Sequence, residues 1–122
     1  MQVLLGLGGS DDGFRALERT VARVAGAGDD LVVAVLDNPT TGVSPADVEA
    51  RVEATLEDAG VEAAVRRLEG DAGPSLVELA ETEGFDEIVM GGGEESPLGK
   101  IAVGRIAEYV VLNATVTVTL VR

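Results

Sequence analysis

Residues 31–36 form a run of six apolar residues with no polar residue among them. A strand of this kind is typical of a parallel sheet with both faces covered, because an exposed face would place polar residues at every second position. The runs at residues 2–7 and 88–90 have a similar apolar character. These runs predict a sheet that lies between two layers of helices.

Amphipathic segments alternate with the predicted strands, because their apolar residues recur every three or four positions. These predicted helices contain residues 14–24, 48–56, 76–80 and 106–112. Residues 61–68 alternate loosely and residues 115–121 alternate strictly, which predicts two further strands. The order βαβαβαβαβ predicts a single α/β domain, residues 1–122, with a doubly wound parallel sheet of five strands and helices on both faces.

A glycine-rich loop follows the strand of residues 88–90 and precedes the last helix. Glycines let backbone N–H groups approach a ligand, and the positive end of the following helix points to the same place, which favours phosphate. The alternative is that Gly91, Gly92 and Gly93 only form a tight turn. In doubly wound sheets ligands bind where the strand order reverses, so the loops after Leu7, Leu36 and Met90 are the candidate site.

The net charge of the chain is -13, from 22 Asp and Glu residues against 9 Lys and Arg residues. Such a surface repels phosphate backbones and anionic membranes, so we expect neither nucleic acid nor membrane as a partner. The acidic residues are spread over most helices, which predicts a halophilic protein, since charge repulsion is screened within about 3 Å at 1 M salt. We expect a cytoplasmic location, because the first residues lack the basic start and long apolar core of a signal peptide.

The chain contains no cysteine and no histidine. Thiol catalysis, cysteine and histidine zinc sites and a Ser-His-Asp relay are therefore excluded, and we predict no catalytic residues, no metal site and no enzymatic activity. Asp11 and Asp12 follow the first strand and are predicted to occupy a helix start, where aspartates are favoured, rather than to bind magnesium.

Several short motifs occur in a fixed order along the chain, and together they are more specific than any one alone. They are Gly8, Gly9 and Ser10 after the first strand, Val35, Leu36 and Asp37 at the end of the second, Glu69, Gly70 and Asp71 before Leu76, residues 85–91, residues 96–100, and Glu108, Tyr109 and Val110 before the last strand. By these residues the chain resembles the universal stress protein (UspA-like) family over essentially its whole length. The resemblance implies a Rossmann-like fold of the adenine nucleotide alpha hydrolase type, with the strand order 3-2-1-4-5.

Nucleotide-binding members of that family carry a glycine, two residues, a second glycine, nine residues, and a glycine followed by Ser or Thr. Gly91 and Gly104 match the first and last glycines with the spacing intact, whereas Glu94 and Arg105 replace the second glycine and the hydroxyl residue. A glutamate at the phosphate position adds a like charge, which costs roughly 4 kcal/mol at about 4 Å and an effective dielectric near 20. Arg105 has three alternatives: it pairs with a neighbouring glutamate, it holds a phosphate, or it points to solvent.

The adenosine half of the family site also differs in this chain. Members that bind ATP tend to place an aspartate at the end of the first strand, where this chain has Gly8, and the backbone at the position of Val35 typically meets adenine. For Val35 the alternative is simple core packing. The candidate nucleotide-binding residues are therefore Gly8, Val35, Gly91, Gly92, Gly104 and Arg105.

The departures favour a non-catalytic stress-response or regulatory protein with a degenerate nucleotide-binding loop and no cofactor. The alternative is an ATP- or AMP-binding universal stress protein that acts as a nucleotide sensor or a weak ATP hydrolase. The last strand, from Thr115 to Val121, is predicted to lie at a sheet edge and to pair with a second copy. Family resemblance also implies a dimer through this strand, so we expect an isologous homodimer.

Overall fold

The structure is a computed structural model that describes residues 1–95 and 101–122, without the side chains of residues 94, 95, 101 and 102. Its main sheet has five parallel strands, which are β1 Gln2–Leu7, β2 Asp30–Val35, β3 Ala64–Arg67, β4 Glu87–Gly91 and β7 Thr117–Val121. They lie in the order β3-β2-β1-β4-β7, which confirms the order that the family resemblance implies. A second, antiparallel pair consists of β5 Glu94–Glu95 and β6 Ile101–Ala102.

In the described part of the chain, four α-helices and one short 3-10 helix connect the strands. They are α1 Asp11–Ala27, the 3-10 helix Pro39–Thr41, α2 Pro45–Ala59, α3 Ala72–Thr82 and α4 Arg105–Asn113. The Ser10 side chain accepts a hydrogen bond from Gly13 N and begins α1, and Ser44 does the same for α2 through Asp47 N. Within the described residues, none of the helices has the length and apolar character needed to cross a bilayer.

The sheet separates two apolar cores. Helices α1 and α2 cover one face, where they pack on Val3, Leu5 and Leu7 of β1 and on alternate residues of β2. Helices α3 and α4 cover the other face, which includes Leu4 and the intervening residues of β2 and β4. Both faces of the central strands are therefore buried, as the continuous apolar run of residues 31–36 predicts.

Element bounds differ from the sequence-based predictions mainly at the sheet edges. Strand β3 has only four residues instead of the predicted residues 61–68, because it pairs with one neighbour, β2, and only from Ala64. Strand β7 begins at Thr117, because the backbone N–H and the hydroxyl of Thr115 bond instead to Glu81 of α3, at 3.3 and 3.0 Å. The β5-β6 pair was not predicted.

Candidate functional site

A cavity of about 820 Å³ lies at the carboxyl ends of β1, β2 and β4. Strand β1 lies between β2 and β4, so this is the point at which the strand order reverses. Its lining includes the start of α4 and the three loops that the sequence predicts as the candidate site, after Leu7, Leu36 and Met90. The volume is within the range of sites that hold small organic molecules.

A buried carboxylate lies directly on the glycine loop. Asp12, the second residue of α1, is 7% exposed, and its Oδ2 accepts a hydrogen bond of 2.7 Å from Gly93 N. The positive end of α1 also favours a negative charge at this position. The N–H group of Gly93 is therefore occupied by an anion that belongs to the protein itself.

Gly91 lies beneath the same carboxylate. A Cβ atom at residue 91 would come 2.5 Å from Asp12 Oδ2 and 2.7 Å from Gly13 N, which is too close for any side chain. Gly93 has a φ of 93°, a left-handed conformation that favours glycine. The two glycines thus allow the loop to approach α1 closely enough for Asp12 to reach it.

The opposite wall of the cavity is formed where β1 and β2 end. A Cβ atom at Gly8 would lie 2.7 Å from the Asn38 Cβ, so Asn38 fills the space that a side chain at residue 8 would need. The Thr41 hydroxyl donates to the Gly8 carbonyl at 2.9 Å, and Asn38 Oδ1 accepts from the Thr40 hydroxyl at 2.7 Å. Neutral side chains therefore surround Gly8, where ATP-binding members of the resembled family tend to have an aspartate, and the nearby Asp37 is exposed to solvent.

Charged side chains around the cavity are mostly negative. Among the described lining residues, Asp11, Asp12 and Asp37 carry negative charge and Arg105 carries positive charge. Arg105 is exposed at the first position of α4, and in the described part of the chain it forms no ion pair with Glu108. The side chains of Glu94 and Glu95, on which the other pairing alternatives depend, lie outside the described residues.

The structure brings four of the six candidate residues together. Gly8, Gly91, Gly104 and Arg105 line the cavity. Val35 does not line it, because its side chain is 1% exposed and packs in the core under α1 and α2. Gly92 faces away from it and donates its N–H to the Val121 carbonyl at 2.6 Å, which extends the contact between β4 and β7.

Three residues of the candidate site were not singled out from the sequence. The sequence favours a helix start over magnesium binding for Asp12 and predicts no contact with the glycine loop, and it gives no role to Asn38 or Thr41. The predicted meeting of the loops after Leu7 and Met90 was a signal that Asp12 and the glycine loop are close. Their hydrogen bond joins residues 81 positions apart, so no local pattern could reveal it.

Comparison with known proteins agrees with this architecture. The model of the universal stress protein family matches residues 1–122. The chain belongs to the universal stress protein family. No curated protein is significantly similar to it in sequence.

Solved structures of universal stress proteins share the fold. One from Archaeoglobus fulgidus has a TM-score of 0.82 and 19% identity, covering 100% of this chain and 98% of its own. A universal stress protein in complex with cAMP has a TM-score of 0.75 and 24% identity, covering 100% and 96%. The Archaeoglobus fulgidus protein in complex with dAMP has a TM-score of 0.75 and 16% identity, covering 100% and 98%.

Proposed function

We propose that this universal stress protein is a non-catalytic regulatory domain whose nucleotide-binding loop no longer holds phosphate well. The observation that carries the proposal is the hydrogen bond between the buried Asp12 carboxylate and Gly93 N. A phosphate bound at the glycine loop needs the backbone N–H groups that face the cavity. In this chain one of those groups already has an anionic acceptor.

The size of the effect follows from Coulomb's law. Two like unit charges about 4 Å apart repel by roughly 4 kcal/mol at an effective dielectric near 20. That energy corresponds to about a thousandfold in affinity. Arg105 offsets part of it, but it is exposed to solvent, and the described lining carries three carboxylates against this single cation.

The second candidate function is an ATP- or AMP-binding sensor with weak hydrolase activity. The cavity volume of about 820 Å³ and the intact spacing of Gly91 and Gly104 favour it. Two proteins with the same fold form complexes with cAMP and dAMP, which also supports an adenine nucleotide as the ligand. In this alternative Arg105 supplies the phosphate contact that a hydroxyl residue supplies in the family motif.

Titration calorimetry with ATP and Mg²⁺ in concentrated KCl separates the two functions. The regulatory function predicts a dissociation constant weaker than about 100 μM, because phosphate must displace Asp12 or bind beside it. Binding at micromolar affinity or tighter would contradict it and favour the sensor. Release of inorganic phosphate from ATP, at a rate above a buffer control, would identify a hydrolase.

We also propose that the regulatory unit is a homodimer formed through β7. This strand pairs only with β4 within the described sheet, so its other edge faces outwards. Helix α4, which precedes it, exposes Leu112 by 73% and Val111 by 48%. An open strand edge beside exposed aliphatic side chains favours a second copy of the same surface as its partner.

A further inference from the structure

The polar character of the cavity changes from one wall to the other. Beside the glycine loop the Asp12 carboxylate provides only hydrogen-bond acceptors in its ionised form. Beside the ends of β1 and β2 the neutral side chains of Asn38 and Thr41 surround Gly8, and the one charged residue there, Asp37, is exposed to solvent. A ligand that spans this cavity therefore meets an anion at the end where nucleotide-binding relatives of the family hold phosphate.

We propose that Asp12 makes the cavity select an uncharged nucleoside over the phosphate esters of that nucleoside. This inference rests on the proposed function, in which phosphate is held poorly, and it adds the class of ligand that is held instead. A free hydroxyl group donates a hydrogen bond to the Asp12 carboxylate while Gly93 N–H stays paired with it. An ionised phosphate has no proton to donate, so it must compete with Asp12 for the same N–H group.

Asp12 is the determinant because it is held in place, unlike the other aspartates of the cavity. Asp11 and Asp37 are exposed, so water screens their charges and their side chains are free to turn away from a ligand. Asp12 is buried, bonded to Gly93, and packed against the backbone of Gly91. Because Asp12 is only 7% exposed, its charge is screened less than that of an exposed carboxylate.

A divalent cation at this site would reverse the expected effect of the Asp12 carboxylate on nucleotide binding. If Mg²⁺ bridges the Asp12 carboxylate and a phosphate, removal of the carboxylate weakens nucleotide binding. If Asp12 repels phosphate, removal of its charge strengthens nucleotide binding. The sign of the change therefore distinguishes the two roles.

The experiment compares adenosine and AMP as probes, by titration calorimetry in concentrated KCl, with EDTA and separately with Mg²⁺. Asp12→Asn keeps the shape of the side chain and an oxygen that accepts from Gly93, but removes the charge. Asp11→Asn is the matched control, because it removes the same charge from the adjacent, exposed residue of the same cavity. Circular dichroism verifies that each variant is folded.

We expect the wild-type protein to bind adenosine at least about tenfold tighter than AMP. Asp12→Asn should lower this preference at least about tenfold, mainly by a gain in AMP affinity, whereas Asp11→Asn should change it less than about threefold. If Asp12→Asn does not fold, the preference of the wild-type protein for adenosine over AMP tests the inference on its own.

Four results would overturn the inference. They are equal or tighter binding of AMP than of adenosine by the wild-type protein, an adenosine preference that Asp12→Asn leaves unchanged, a loss of AMP affinity in Asp12→Asn with Mg²⁺ present, and no binding of either probe by any variant. The last result leaves the regulatory proposal standing, since that proposal fails only if ATP binds tightly or is hydrolysed.

Discussion

At residue 91 the structure leaves no room for a side chain. The Cβ atom of an alanine would lie 2.5 Å from Asp12 Oδ2 and 2.7 Å from the backbone nitrogen of Gly13, so either the carboxylate or the loop must move. Overpacking of this kind typically costs about 1–3 kcal/mol. We predict that Gly91→Ala lowers the free energy of unfolding by about that amount, measured by urea denaturation in concentrated KCl.

Gly26→Ala is the matched control for this substitution. Gly26 lies inside α1, and a Cβ atom there would meet nothing within 4 Å. Alanine is favoured over glycine in a helix by roughly 0.5–1 kcal/mol, so this variant should be more stable than the wild-type protein. Equal stability of Gly91→Ala and Gly26→Ala would show that the contact of Asp12 with the loop is not tight.

The sequence alone predicts that Gly91 follows the end of a strand, but it does not predict the contact of Gly91 with Asp12. An apolar run followed by glycines marks the end of a strand, because that signal is local. The contact with Asp12 depends on how α1 is rotated and on how closely the loop approaches it, and neither has a local signal. The same reason explains Asn38, whose position over Gly8 is visible only when β1 and β2 are placed side by side.

A buried acidic side chain joins three elements at the start of β4. Glu87 is 6% exposed and receives two hydrogen bonds from the guanidinium of Arg23 in α1, at 2.9 and 3.2 Å. The Thr119 hydroxyl of β7 donates to the same carboxylate at 2.6 Å. The hydrogen bonds from Arg23 hold the pKa of Glu87 below its usual range, burial opposes this shift, and the bond from Thr119 supports it.

The depressed pKa predicts a contribution to acid stability. A carboxyl group with a lower pKa in the folded state stabilises the fold above its unfolded pKa of about 4.3, and this stabilisation is lost as the pH falls through the folded value. We predict that Glu87→Gln is less stable than the wild-type protein at pH 7, and that the difference in unfolding free energy shrinks as the pH is lowered below about 4.3.

Glu18→Gln controls for the loss of one negative charge. Glu18 is exposed on α1, so its substitution removes the charge without breaking the contacts of Glu87. Chemical denaturation across the acidic pH range measures the difference in unfolding free energy between each variant and the wild-type protein. A gap between Glu87→Gln and the wild-type protein that stays constant with pH would contradict a role for the charge of Glu87.

At the level of elements the sequence predicts the main sheet better than its margins. Buried strands and amphipathic helices carry strong periodic signals, so their number, order and approximate bounds follow from the pattern. Strands β5 and β6 have two residues each, which is too short for any periodicity. Helix α3 begins at Ala72, before the predicted residues 76–80, and it includes Pro74 because proline is tolerated within the first turn of a helix.

The charge of the whole molecule sets its dependence on salt. A net charge of -13 on 122 residues produces self-repulsion that favours the unfolded chain. The screening length falls from about 30 Å at 0.01 M to about 3 Å at 1 M. We predict that the midpoint of thermal unfolding rises markedly between these KCl concentrations, as measured by circular dichroism. An unchanged midpoint would contradict the prediction of a halophilic protein.

The orientation of the β7 backbone determines how its free edge can pair. The Val121 carbonyl accepts from Gly92 N and thus points towards β4. Because successive residues of a strand direct their backbone groups to opposite sides, Thr119 and Thr117 also point towards β4, whereas Val118 and Leu120 point towards the outer edge. A second copy that pairs with β7 must therefore use the N–H groups of Val118 and Leu120.

Val118→Pro tests this pairing without breaking the contact of β7 with β4. Proline removes the outward N–H of residue 118 and places its ring at the edge, so we predict a monomer in concentrated KCl by light scattering. Val118→Ala is the control: it removes most of the side chain but keeps the N–H group, and it should remain a dimer. Circular dichroism must show that the proline variant is folded, because only a folded monomer separates loss of the interface from loss of the sheet. A wild-type monomer, or a proline variant as dimeric as the wild-type protein, would contradict dimerisation through this edge.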